Sequence, residues 1–264
     1  MPVADTLASA VSAIAAEAGR LALARYGQDV RKWEKSPNNF VCEVDLAIDE
    51  LLRARLSALL PDAGWLSEET ADDLARLSAS RVWVVDPIDG TRDFLRHRPG
   101  WAISVALVEN GQPVIGVLDA PVRGEHWLAE RGKGATRNGI PLIASDRIEL
   151  TGARVPADDL PRIDRHLTMV DKPNSIALRM AMVASAEADL LATFRWGNEW
   201  DIAAATLIAR EAGAKVTDAL GKKLRFNTPA GEAFGVLTAA PGIHQAAADH
   251  LRDRAVEALG RPRF

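Results

Sequence analysis

Trp83-Val-Val-Asp86-Pro-Ile-Asp89-Gly-Thr91-Arg-Asp93-Phe94 joins an apolar run to an acidic turn. The run from Val82 to Val85 has the length and β-branched content of a buried strand. The strand is expected to stop at Asp86, because Pro87 lacks an N–H and has a fixed φ. Asp89 follows, ahead of Gly90 and Thr91. Carboxylates at a strand end, on a turn that holds them together, suit a hard divalent cation such as Mg²⁺.

Outward from this turn, the chain alternates helical and extended patterns. Residues 3–25 place Leu7, Val11, Ile14, Ala18 and Leu21 on one helical face. Ser36-Pro-Asn-Asn39 signals a loop. A second helix runs through Val44, Ile48, Leu51 or Leu52, Leu56 and Leu59 until Pro61. Trp65-Leu66 is a brief apolar segment ahead of Ser67-Glu68-Glu69. Strands are expected at 82–86, 102–108, 114–119 and 126–129, with turns at Asn110-Gly111 and Arg123-Gly124. Further on, 175–186 and 201–212 read as helices, and 189–194, 216–217 and 234–238 as strands. A boundary near 140–150 divides an N-terminal α+β half, 1–145, from a C-terminal α/β half, 146–264. The first carries most of the acids; the second contributes Asp201 and substrate specificity. The fold class is a layered α+β or α/β sandwich.

Composition narrows the function. The chain has 264 residues, 48% of them hydrophobic, and a net charge of -4. It has no basic stripe, which argues against a nucleic-acid polymer as partner. Cys42 is the single cysteine, so neither an internal disulfide nor a cysteine zinc cage is available. His97, His126, His166, His244 and His250 show no metal-ligand spacing. The sequence carries no basic-then-apolar leader and no run of about 18 apolar residues, so no membrane association and a cytoplasmic location are expected.

Acids recur in unusual settings: Asp45 at the entry to the second helix, Glu68-Glu69 after Trp65-Leu66, Asp86 and Asp89, and Asp201 after Trp200. Singly, each has an ordinary explanation as a first-turn acid, a surface charge, a turn residue or a helix cap. Together, their order and surroundings resemble the inositol monophosphatase family. Asp-Pro-Ile-Asp-Gly-Thr, followed far downstream by Trp200-Asp201-Ile-Ala-Ala and Glu211-Ala-Gly213, carries most of the resemblance, which covers about residues 35–240. Asn174-Ser175-Ile-Ala-Leu-Arg179 is similar to the family's Gly-Ser-x-x-Leu-Lys segment. The chain departs from the family's pattern with Cys42 for Thr, Gly213-Ala214 for Gly-Gly and Asn174 for Gly.

The resemblance implies alternating α-β-α-β-α layers and a Mg²⁺-dependent phosphomonoesterase holding two or three ions. Glu68, Asp86 and the Ile88 carbonyl would take the first ion. Asp86, Asp89 and Asp201 would take the second, with Asp86 bridging, and Glu68 a weaker third. Thr91, supported by Asp45, would orient the attacking water, and the Gly90 and Thr91 amides would bind phosphate. A metal-bound water would protonate the leaving alkoxide, with no covalent phosphoenzyme. Lys172, Ser175, Arg195 and Glu199 are candidates for substrate recognition. Lithium sensitivity and a homodimer are implied as well. The leading substrate is a small phosphorylated metabolite of inositol monophosphate type. The alternatives are a 3′(2′),5′-bisphosphate nucleotidase, a histidinol-phosphate phosphatase, and a regulatory protein that keeps the fold without catalysis.

Overall fold

The computed structural model describes residues 6–36 and 39–261. The chain opens with helix α1 (Leu7–Arg25), the hairpin strands β1 (Lys32–Ser36) and β2 (Asn39–Cys42), and helix α2 (Glu43–Leu59). Strands β3 (Gly64–Ser67) and β4 (Arg81–Asp89) lead into the short helix α3 (Thr91–Leu95). Five strands follow: β5 (Ala102–Glu109), β6 (Gln112–Ala120), β7 (Glu125–Glu130), β8 (Ala135–Arg137) and β9 (Ile140–Pro141). The remainder comprises β10 (Arg154–Pro156), β11 (Thr168–Val170), α4 (Ile176–Ala184), β12 (Leu190–Asn198), α5 (Glu199–Glu211), β13 (Lys215–Thr217), β14 (Glu232–Ala239) and α6 (His244–Leu259).

Strands β3 to β9 form one sheet in sequence order; β3 is parallel to β4 and the other pairs are antiparallel. Side chains alternate along its strands with period two. Trp83, Val85, Ile103, Val105, Leu107 and Val117 join the core formed with α1 and α2. Val82, Val84, Ala106, Val108 and Leu118 join the core formed with α4 and α5. Helix α5 sits so close to β6 that a Cβ on Gly116 would lie 2.6 Å from the Ala204 carbonyl oxygen. Its buried alanines, Ala203 to Ala205, permit that approach, which gives the alanine run a packing reason.

Beyond α4 and α5 lies a second sheet of order β12-β14-β13, which contributes Leu191, Val216 and Val236 to the same core. Its outer face meets α6 through Leu190, Leu237, Ile243, Ala247 and Leu251. The result is the expected α-β-α-β-α layering. Helix α1 has the length and mean hydropathy, 1.4, of a membrane span. Its Val11, Ala15, Ala18 and Ala22 are buried in the core beneath the large sheet, which accounts for its apolar character.

Several details differ from the sequence reading. Residues 3–5 of the first expected helix, and Pro37 and Asn38 of the expected loop, lie outside the described residues. Hairpin β1-β2, the parallel pair β10-β11 and helix α6 were not foreseen. Strand β4 does not end at Asp86. It continues through Pro87 to Asp89 by way of a register shift, Asp86 pairing with Ser104 and Asp89 with Ala102. Three steps on β4 thus span two on β5, a bulge that leaves Pro87 without a ladder bond to supply.

Candidate metal centre

The bulge determines how the first two acids lie. In a regular strand, residues three apart face opposite sides. The extra residue brings Asp86 and Asp89 to the same cleft, of about 190 Å³, together with Glu68 and Asp201. Glu68 follows β3, and its N–H donates to the Val85 carbonyl at 3.3 Å, tying it to the strand that holds Asp86. Asp201 is the third residue of α5, where its carboxylate accepts the Asn198 N–H at 3.3 Å. One oxygen from each of Glu68, Asp86 and Asp201 lies within 4.8 Å of the others.

Asp89 is oriented by the start of α4. It accepts the Ser175 hydroxyl at 2.5 Å and the N–H groups of Ala177 at 2.8 Å and Ile176 at 3.4 Å. Asp45, the third residue of α2, accepts the Cys42 N–H at 2.9 Å and the Cys42 thiol at 2.8 Å. The Thr91 hydroxyl lies 3.0 Å from the Ile88 carbonyl oxygen and 3.4 Å from Asp45 Oδ1, within donating reach of both.

These acids are electrostatically unsatisfied. Burial pushes the Asp86 carboxyl well above the usual range, and Glu68, Asp89 and Asp201 push it further. Asp201 is raised well above its usual range by burial and then by Asp89 and Glu68. Burial also raises Glu68 and Asp89. It lifts Asp45 to about 6 although the Cys42 hydrogen bonds pull the other way. Lys35 on β1 reaches Glu69 at 2.6 Å and Glu68 at 3.5 Å, and Arg179 and Arg195 act on Asp89 and Asp201, yet the carboxyls of the cluster stay raised. The Cys42 thiol, pushed up to about 12 by burial and by Asp45, stays protonated and offers no thiolate. An all-oxygen donor set with excess negative charge fits a hard divalent cation and not a soft one.

Residues expected to face substrate divide. Gly90 and Thr91 line the cleft, as does Arg195. Gly90 has φ +97°, and a Cβ there would meet the Gly100 carbonyl oxygen at 2.7 Å, so both conformation and space require glycine. Ser175 is fully buried and commits its hydroxyl to Asp89, acting on that acid rather than lining the cleft. Lys172 lies outside the acid cleft, ion-paired with Asp158, and lines a separate cavity with Leu160 and Phe194. Glu199 is buried too, and accepts the N–H groups of Asn227 and Thr228, fastening a loop to α5.

Besides Lys35, two further charged residues at the site escaped the sequence reading. Arg179 lines the cleft; its signal was the basic residue that ends the Asn174–Arg179 segment, read there only as a resemblance. Asp49 accepts the hydroxyls of Ser67 and Thr70, which bracket Glu68. Its spacing from Asp45, one helical turn, was the available clue.

The layered frame and the acid cleft define a class, and comparison with known proteins gives its name. The model of the inositol monophosphatase family matches residues 3–258, and the chain belongs to that family, whose members support a phosphatase acting on a small phosphorylated substrate. A fructose-1,6-bisphosphatase/inositol-1-monophosphatase of Thermotoga maritima is 34% identical over 193 residues, covering 70% of this chain and 73% of the relative. A protein named Nus factor SuhB from Xylella fastidiosa is 34% identical over 203 residues, covering 71% and 72%. The solved structure of an inositol monophosphatase from Thermotoga maritima superposes with a TM-score of 0.82 at 28% identity, covering 94% of this chain and 97% of the other.

Proposed function

We propose that the chain is a Mg²⁺-dependent phosphomonoesterase that hydrolyses a small phosphate ester, of inositol monophosphate type, with water as nucleophile. The observation that carries this reading is the convergence of Glu68, Asp86 and Asp201 oxygens within 4.8 Å in a cleft where burial and mutual repulsion hold the carboxyls above their usual range. Glu68, Asp86, Asp89, Asp201 and the Ile88 carbonyl would hold the ions. When bound, divalent cations lower the pKa of a coordinated water and offset charge on the phosphoryl oxygens.

The chain's own groups supply positioning. The Thr91 hydroxyl, held between Ile88 and Asp45, has lone pairs with which to accept a hydrogen bond from the attacking water. Asp45 Oδ1 stands behind it to take up positive charge along that hydrogen bond. The left-handed turn at Gly90 brings the backbone to the cleft, where its N–H groups would donate to a phosphate oxygen.

The test is phosphate release from inositol 1-phosphate with Mg²⁺ titrated in, in the wild type and in Asp201→Asn. The reading expects release that depends on Mg²⁺ and is lost in the variant, with lithium inhibiting. Release undiminished by a chelator, or by Asp201→Asn, would overturn it. The name of the SuhB relative favours a second reading, a regulatory role; that reading expects a macromolecular partner whose binding survives Asp201→Asn.

A further inference from the structure

Three residues that the acid cleft does not use are hydrogen-bonded in series. The Ser12 hydroxyl, on α1, lies 2.7 Å from His126 Nε2 on β7, and His126 Nδ1 lies 2.7 Å from Asp119 Oδ1 on β6. None of the three lines the cleft. Asp119 and His126 are direct cross-strand partners, so both side chains stand on one face of the sheet, the face that α1 covers. A carboxylate can only accept, so Asp119 draws the imidazole proton to Nδ1. Nε2 is left as an acceptor, and the Ser12 hydroxyl donates to it. A helical serine often returns its hydroxyl to the carbonyl four residues back; among the described residues Ser12 bonds His126 instead.

The fold gives up stability to hold this series. Asp119 is 8% exposed, and His126 is its one hydrogen-bond partner among the described residues. Its other oxygen fills the place of a side chain on α1, since a Cβ on Gly19 would collide with Asp119 Oδ2. A glycine inside a helix costs about 1 kcal/mol relative to alanine. A buried charge with one partner gains little over an apolar pair of the same size. Ser12 and Gly19 lie two helical turns apart, so one stripe of α1 serves both ends of the His126–Asp119 pair. Local rules broken together are characteristic of functional sites. The His126 side chain is 26% exposed and Ser12 is half-buried, so hydroxyl and imidazole are open to solvent while the carboxylate is shielded.

We propose that Ser12 is an activated nucleophile, and that this second site takes an acyl group from an activated ester. A hydroxyl in reach of a base, with the base oriented by a third group, is the arrangement that such chemistry needs. Ser12 Oγ forms a bond to the ester carbonyl carbon, and its proton passes to His126 Nε2. Asp119 stabilises the imidazolium. The bond from that carbon to the leaving oxygen then breaks, and the leaving oxygen takes the proton from Nε2. The products are the free alcohol, a Ser12 ester and a neutral imidazole. No acid of the cleft and no metal takes part, so the inference is independent of the phosphomonoesterase reading.

The test treats the full chain with p-nitrophenyl acetate in the presence of a chelator and maps the adducts by peptide mass spectrometry. An acetyl group is expected on Ser12, formed at least about tenfold faster than in His126→Gln. Asp119→Asn keeps an acceptor for Nδ1 but removes the charge behind the imidazole, and should slow the acylation as well. Thermal melts accompany each variant; where His126→Gln melts early, Asp119→Asn decides in its place. An unmodified Ser12, or a Ser12 acylated at the wild-type rate in the folded variants, would overturn the proposal and leave the series as a fastening of α1 to the sheet.

Discussion

Asp86 and Asp189 are equally buried, each 1% exposed, yet their surroundings are opposite. Asp189 accepts Arg154 Nε at 2.9 Å, Arg154 Nη2 at 2.7 Å, the Arg154 N–H at 2.9 Å and the Ser145 hydroxyl at 2.7 Å. Burial alone would raise its carboxyl, but the Arg154 side chain and N–H and the Ser145 hydroxyl outweigh it and hold the group down at about 2. Asp86 accepts one N–H, from Ile88 at 3.0 Å, and otherwise meets other acids. The fold completes Asp189 by itself. It leaves Asp86 incomplete, and a buried charge in that state marks a site that takes its counter-charge from solution.

Substitution by the neutral isostere should separate the two. Asp86→Asn is expected to lower kcat/KM by about a thousandfold or more, roughly 4 kcal/mol. The metal-free melting temperature should hold or rise, because a repelled charge is gone while the acceptor for Ile88 remains. Asp189→Asn should do the reverse. It removes the charge that pairs with Arg154 and costs about 2–3 kcal/mol of stability, while kcat/KM stays within about twofold. Denaturant melts and steady-state assays on both variants decide the matter; unfolding of Asp86→Asn or inactivity of Asp189→Asn would erase the contrast.

The same pair predicts the pH dependence of metal-free stability. Asp45, Glu68, Asp86, Asp89 and Asp201 are raised, so the folded state binds their protons more tightly than the unfolded chain does. Their contribution is fully present below about pH 4 and is lost as pH rises through the folded values. For Asp45, moved from 3.8 to about 6, the loss is about 3 kcal/mol. Asp189 runs the other way: its contribution is present above about pH 4 and is lost as pH falls toward 2. Metal-free stability should therefore peak between about pH 4 and 5 and decline toward 7, and Mg²⁺ should flatten the decline. Metal-free urea melts that grow steadily more stable from pH 5 to 7 would contradict this.

The contrast also explains what the sequence could disclose. Asp86 and Asp189 look alike in it, an acid at one end of an apolar run. Asp86 was legible because its neighbours Asp89, Gly90 and Thr91 lie beside it and the resemblance extends to Asp45, Glu68 and Asp201. The partners of Asp189 come from residues 145 and 154, and nothing local announces that meeting. Strands β4 to β7 of the large sheet were legible from their apolar, β-branched runs, and α4 and α5 from theirs, whereas β8 and β9, of three and two residues, are too short to mark themselves. Helix α6 was not, because its buried positions are His244, Ala247, Leu251 and Ala255, too weakly apolar to mark a face. Hairpin β1-β2 was hidden because Lys32, Glu34 and Lys35 leave its first strand without the apolar run that marks one. Arg179 was hidden for another reason: it entered only as the last residue of a segment similar to the family's, and only the fold shows it buried beside the acids.

The smallest effect concerns Cys42, where the family's usual residue is Thr. Its thiol and N–H both donate to Asp45 Oδ2, so the thiol occupies the place of the expected hydroxyl. A hydroxyl is the stronger donor, and Thr is favoured at a helix N-cap. Cys42→Thr should change stability by less than about 1 kcal/mol and shift the acid limb of the kcat/KM–pH profile downward by a few tenths of a unit, because Asp45 is better stabilised as the anion. Cys42→Ala removes the donor and should move that limb upward instead. The direction matters more than the size. Opposite shifts tie Asp45, through Thr91, to the protonation state that activity requires, whereas coincident profiles would leave Asp45 a helix-capping acid and nothing more.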